Sequence, residues 1–102
     1  MDTALHQRKE DIDALCRKYG VLRLDVFGSA TGPAFDPASS DYDFLVEFGA
    51  HDQPGYADRY LGLLEELTSL LGRPVDLVVE RAIRNPYFKE GVNRSRQLLY
   101  AV

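Results

Sequence analysis

The chain reads as an α/β (α+β) domain in which a small mixed β-sheet is covered by helices. Three observations carry this reading. Residues 21–27 and 41–48 alternate apolar and polar side chains with the period of a half-buried strand. Val75-Asp76-Leu77-Val78-Val79 is a third short run rich in branched residues. Between the second and third strands lies a leucine-rich stretch at helical spacing.

Residues 4–19 form the first expected helix. Leu5, Ile12, Leu15, Cys16 and Tyr19 share one side, and Gly20 is a natural stop. The strand over 21–27 sets Leu22, Leu24 and Val26 against Arg23 and Asp25. Gly28-Ser29 ends it, with a helical turn expected over 29–32. Gly32, Pro33, Pro37 and two serines mark a loop over 32–40. The strand over 41–48 places Tyr42, Phe44, Val46 and Phe48 on one face, and Asp41, Asp43, Leu45 and Glu47 on the other. A loop over 49–55 leads to a helix over 56–71, whose apolar stripe is Tyr60, Leu61, Leu64, Leu67, Leu70 and Leu71. Gly72 stops it, and residues 74–79 return as a strand. Asn85-Pro86 is a helix start, with Asn as cap and Pro at the first position, and that helix is expected to reach about residue 94. Residues 98–102 are a short apolar tail, either a further strand or a docked coil.

Composition narrows the classes. The chain has 102 residues, so one domain over 1–102 is expected. At that size a domain buries roughly two thirds of its unfolded surface, enough for a core. A net charge of −4 argues against a general nucleic-acid binder, which needs a basic face. Basic residues nevertheless gather near the end: Arg81, Arg84, Lys89, Arg94 and Arg96 face only Glu80 and Glu90. Such a tail is either a solvated helix face or a surface for phosphates or an acidic partner. Cys16 is the single cysteine, which excludes an intrachain disulfide. No apolar run approaches membrane-spanning length, and Met1-Asp2-Thr3-Ala4 has no signal-peptide character. A reducing cytoplasm is the expected compartment.

The chemistry concentrates in the acidic residues. Asp41 and Asp43 stand two apart on a strand, so they point to one face with Cα atoms about 6–7 Å apart, at roughly 3.3 Å per residue. That separation suits carboxylates converging on one or two Mg²⁺ ions. The ordinary alternative is a loop-capping Asp41 and an exposed Asp43. Asp76 interrupts an otherwise apolar strand, where a charge is costly to bury unless paired or metal-bound. If its strand lies beside 41–48, three carboxylates face one spot; otherwise Asp76 is an edge residue facing water. Gly28-Ser29 offers a backbone free of Cβ, a hydroxyl and a following helical turn to a triphosphate. By itself it is also an ordinary strand-ending turn.

Other candidates are weaker. His6 and His51 are isolated and read as solvent-facing. Cys16 lies on the apolar stripe of its helix and reads as core. Tyr56, Tyr60, Tyr87 and Tyr100 suit either base stacking or the core, and the core is the expectation for each.

The combined pattern resembles the minimal branch (MNT) of the polymerase-β-like nucleotidyltransferases. Phe27-Gly28-Ser29, then Ser40-Asp41-Tyr42-Asp43-Phe44-Leu45-Val46, matches the family's Gly-Ser and Asp-X-Asp motifs. Gly72-Arg73-Pro74-Val75-Asp76-Leu77-Val78 is similar to the segment that carries its third carboxylate, and the stretch from Asn85-Pro86-Tyr87 to Leu99-Tyr100 to its ending. The spacer between the two motifs is one residue longer than the commonest length. Ala30-Thr31-Gly32 stands where many members carry an arginine.

The resemblance implies that fold and a mechanism. Asp41, Asp43 and Asp76 would be catalytic and hold two Mg²⁺ ions, while Gly28, Ser29 and Ser40 bind the nucleotide. AMP would pass from ATP to an acceptor hydroxyl, with Asp76 polarising the acceptor. Because no second domain completes the cleft, the acceptor arrives on another protein or a second subunit closes the site. Minimal members pair as antitoxins with HEPN-domain toxins and attach AMP to a toxin tyrosine, which is the preferred reading. The alternatives are a module that masks its toxin or binds DNA without catalysis, and an enzyme acting on a small molecule.

Overall fold

The computed structural model describes residues 3–28, 41–50 and 52–102. Along the chain come α1 (Thr3–Gln7), α2 (Lys9–Lys18), β1 (Val21–Phe27), β2 (Tyr42–Phe48), α3 (Tyr56–Leu71), β3 (Val75–Val79), a 3-10 turn (Glu80–Ala82), α4 (Pro86–Ser95) and β4 (Gln97–Ala101). The strands form one sheet in the order β3-β2-β1-β4. β1 pairs antiparallel with β2 and β4, and β2 pairs parallel with β3. A parallel pair needs a crossover connection, and α3 lies within it. The sheet is therefore mixed, as expected, but the apolar tail adds a fourth strand. Leu99 of that strand is buried in the core, and Tyr100 packs against it.

The two sheet faces have different fates. Leu24, Val26, Tyr42, Phe44, Val46, Phe48 and Leu77 bury one face against Leu5, Ile12, Cys16, Leu63 and Leu67 of the first three helices. Each such side chain contributes roughly 1.5–3 kcal/mol of burial free energy, so this layer dominates stability. The other face holds a smaller cluster, Phe27, Leu45 and Val92, joined by Val78 and Ile83. Here α4 covers only part of the sheet. Its Asn85 cap works as expected, the side-chain oxygen accepting from the Tyr87 and Phe88 amides at 2.9 and 3.2 Å.

Several expectations change in detail. The first helix splits at Arg8, whose φ of −102° and ψ of 11° leave the helical region. The bonds Arg8 N–H to Ala4 at 3.1 Å and Ile12 N–H to Arg8 at 2.9 Å continue across the bend, which keeps Leu5 and Ile12 both buried. In β1 a register shift between Val21 and Arg23 turns Val21 inward and leaves Leu22 43% exposed. On α3 Leu63, not Leu61, enters the core; Leu61 is 58% exposed. Tyr56, Tyr60 and Tyr100 pack against the core, whereas Tyr87 is 82% exposed. His6 is exposed as expected, and His51 lies outside the described residues.

Three arginines of the basic segment make ion pairs within the molecule. Arg81 meets Glu47 at 2.9 Å, Arg94 meets Glu90, and Arg96 meets Asp25 and Glu80. Of the two readings, a solvated helix face holds for α4, where Lys89 and Arg94 are exposed, while Arg81 and Arg96 are drawn to carboxylates on neighbouring strands and turns.

Candidate active site

Asp43 and Asp76 are direct register partners on β2 and β3. In a parallel pair, partners project to the same face, so the two carboxylates share the half-open side of the sheet. Their Cα atoms stand about 4.8 Å apart, the usual interstrand spacing. Asp43 is half-buried and Asp76 exposed. Burial holds the Asp43 carboxyl above its ordinary value of 3.8, and the negative charges of Asp76 and Asp41 push it the same way. Asp41 sits just before β2 and is exposed.

Gly28 closes the other side of Asp43. Its φ of +72° is a left-handed conformation that favours glycine. A Cβ placed there would stand 2.8 Å from Asp43 Oδ2, so the carboxylate leans against the bare backbone. Gly28 N–H donates to Ser95 Oγ at 2.9 Å, which joins this turn to the last residue of α4. On the far side, the Tyr60 hydroxyl donates to the Leu77 carbonyl, anchoring β3 one residue beyond Asp76.

Sequence reasoning missed Asp25. It is fully buried on β1, two residues before Phe27, which itself pairs with Asp43. Arg23 bonds it through Nε at 3.0 Å, and Arg96 through its own Nε. Arg96 also reaches Glu80 at 2.9 and 3.1 Å. Alternation placed Asp25 opposite Leu24 and Val26, away from the main core, but no local pattern reveals two arginines from such distant positions. At the end of β3, Val78, Ile83, Arg84 and Phe88 line a groove of about 480 Å³ that the sequence also left unseen.

The expected three-carboxylate cluster is assembled only in part. Among the described residues no group of three metal-ligating side chains closes on one point. Ser29 and Ser40 lie outside the described residues. The paired oxygens of Asp43 and Asp76 still fit Mg²⁺, which is characteristically held by one or two carboxylates with substrate phosphates completing its shell. A divalent cation would also relieve the repulsion that raises the Asp43 carboxyl.

A small mixed sheet with adjoining carboxylates beside a glycine turn is the framework of a nucleotidyl-transfer enzyme. The nucleotidyltransferase domain model matches residues 8–99, and the chain belongs to that family. It is 40% identical over 76 residues to a Methanocaldococcus jannaschii protein named "Putative protein adenylyltransferase MJ1379", covering 74% of this chain and 73% of the relative. A second protein of that organism, "Putative protein adenylyltransferase MJ0128", is 40% identical over 78 residues, with 76% of each chain covered. A solved structure described as a "putative minimal nucleotidyltransferase" superposes with a TM-score of 0.72 at 36% identity, over 95% of both chains. The fold also matches a complex of a tri-AMPylated Shewanella oneidensis HEPN toxin with its MNT antitoxin, TM-score 0.66 at 20% identity, over 95% of this chain and 72% of the other. No helix among the described residues is long and apolar enough to cross a membrane.

Proposed function

We propose that this chain, acting as one minimal domain over 1–102, is an Mg²⁺-dependent protein adenylyltransferase. It moves AMP from ATP to a tyrosine of a HEPN-domain toxin and so serves as that toxin's antitoxin in the cytoplasm. The pairing of Asp43 with Asp76 beside Gly28 carries the catalytic half of this reading. The relatives named as protein adenylyltransferases favour a protein acceptor. The shared fold with an antitoxin bound to an AMPylated HEPN toxin favours that partner.

Asp43 and Asp76 would hold the metal, with the Asp41 charge close by, and when bound it supplies charge neutralisation for the triphosphate. Gly28, Ser29 and Ser40 would position the phosphates, with the bare Gly28 backbone allowing close approach. Asp76 is the more exposed partner and lies on the edge strand, which favours it as the carboxylate nearer the acceptor. Its carboxylate would accept the proton of the tyrosine hydroxyl as that oxygen bonds to the α-phosphorus. The bond from the α-phosphorus to the bridging oxygen breaks, and its electron pair leaves on pyrophosphate. Orientation and electrostatics supply most of such catalysis.

The test incubates the chain with ATP, Mg²⁺ and a HEPN-domain partner, then reads the partner's mass. Addition of AMP that disappears in Asp43→Asn and Asp76→Asn supports the reading. Full protection from the toxin by both variants overturns it in favour of a masking module.

A further inference from the structure

The geometry points to Ser95 as a positioning residue that sets the Gly28 turn, and through it Asp43, for the nucleotide. This rests on the active-site reading above.

Ser95 is the last residue of α4, far in sequence from the turn it touches. Its hydroxyl has both roles filled. It accepts the Gly28 amide at 2.9 Å and donates to the Gly91 carbonyl at 3.3 Å, one helical turn back. The donation aims the oxygen lone pairs away from α4, and one of them meets the Gly28 amide.

The end of α4 is itself held still. Arg96, the next residue, bonds the buried Asp25 on β1 and Glu80 just past β3. The Ser95 oxygen is thus fixed relative to both strands that flank β2. Gly28 has no side chain with which to anchor itself, and its φ of +72° is one of several conformations a glycine samples freely. The hydrogen bond from the Gly28 amide to Ser95 Oγ favours the observed one. Asp43 Oδ2 then packs directly on the Gly28 Cα, within 2.8 Å of where a Cβ would stand. A run of contacts therefore links the α4 terminus to the carboxylate: Ser95 to Gly28, Gly28 to Asp43, and Asp43 to its partner Asp76. If the hydroxyl is removed, the turn gains freedom, and the cost falls on ground-state and transition-state contacts made through the Gly28 backbone.

The experiment compares wild type, Ser95→Ala and Ser95→Thr. Threonine keeps the hydroxyl, and alanine keeps the helix. Three quantities are read: hydrogen exchange of the Gly28 amide by NMR, affinity for a non-hydrolysable ATP analogue with Mg²⁺, and kcat and KM for AMP transfer to the HEPN partner. Ser95→Ala is expected to speed Gly28 exchange about 10-fold, in line with loss of one hydrogen bond. It is also expected to weaken analogue binding and lower kcat/KM by roughly 5–10-fold, with a fall in melting temperature of several degrees. Ser95→Thr is expected to restore all three. Faster Gly28 exchange with unchanged analogue affinity overturns the proposal, as does a loss that threonine does not rescue. If wild type transfers no AMP, the proposed activity fails, and the affinity arm still decides the role of Ser95. An alanine-specific loss of analogue binding supports it, and equal or absent binding in wild type and Ser95→Ala overturns it.

Discussion

Asp43 and Asp76 face each other across the only parallel pairing among the described strands, on the side of the sheet that α4 leaves half open. Two like charges at one register position oppose folding, and burial of Asp43 adds to the cost. Stability and chemistry therefore pull in opposite directions at this point.

Asp43→Asn separates the two. Removing one charge of a directly opposed pair should stabilise the metal-free chain by about 0.2–1 kcal/mol. AMP transfer should fall at least about 10²-fold, the scale of losing one preorganised electrostatic group. Thermal melting and mass spectrometry of the acceptor check both halves. A destabilised variant would show that Asp43 is a structural residue.

Gly28→Ala meets two obstacles. The left-handed φ of +72° costs a non-glycine residue roughly 1–2 kcal/mol, and the new methyl would collide with Asp43 Oδ2. The expected result is a loss of about 1–2 kcal/mol in urea unfolding, with a larger proportional loss of activity than of stability.

Arg96→Ala should be among the most damaging single changes. It leaves the fully buried Asp25 to the partly exposed Arg23 and releases Glu80. Breaking a buried ion pair from one side costs about 3–5 kcal/mol. Adding Asp25→Asn to the same chain should recover part of that loss, which a double-mutant cycle of denaturation midpoints measures.

Acid should weaken the same network. Hydrogen bonds from Arg96 hold the Glu80 carboxyl below its ordinary value of 4.5. A carboxyl that is more acidic in the folded state stabilises it fully above the unfolded value, and that contribution disappears as pH falls through the folded one. Stability measured downward from pH 6 should therefore decline below about 4.5, and Glu80→Gln should flatten that decline.

Cys16 should be chemically silent while the chain is folded. Burial pushes its thiol up to about 12, with a further push from Asp13. A thiolate is the reactive form. A thiol reagent at pH 8 should label Cys16 only as fast as the chain unfolds, and labelling that outpaces unfolding would place the thiol outside the core.

Much of the architecture was written in local patterns. The alternation over 21–27 and 41–48, the leucine stripe ending at Gly72 and the Asn85-Pro86 cap each depend on neighbours within one or two turns. Those elements fall where the pattern puts them. The inward face of Tyr42, Phe44, Val46 and Phe48 follows from strand alternation alone. Leu22, Leu61 and Leu63 departed from the pattern because a bulge and the rotation of a helix on its sheet depend on what packs against them.

Which residues meet across the chain was a different matter. Alternation along a strand cannot say that Asp76 lies opposite Asp43, because register depends on how β2 and β3 slide into hydrogen-bonded contact. Nor can it say that Arg96 neutralises Asp25, or that Ser95 holds Gly28, since each pair is separated by more than sixty positions. Short-range sterics and periodicity act within a segment and are legible there. Pairing of charges and amides between segments is settled only when hydrophobic burial draws the segments together.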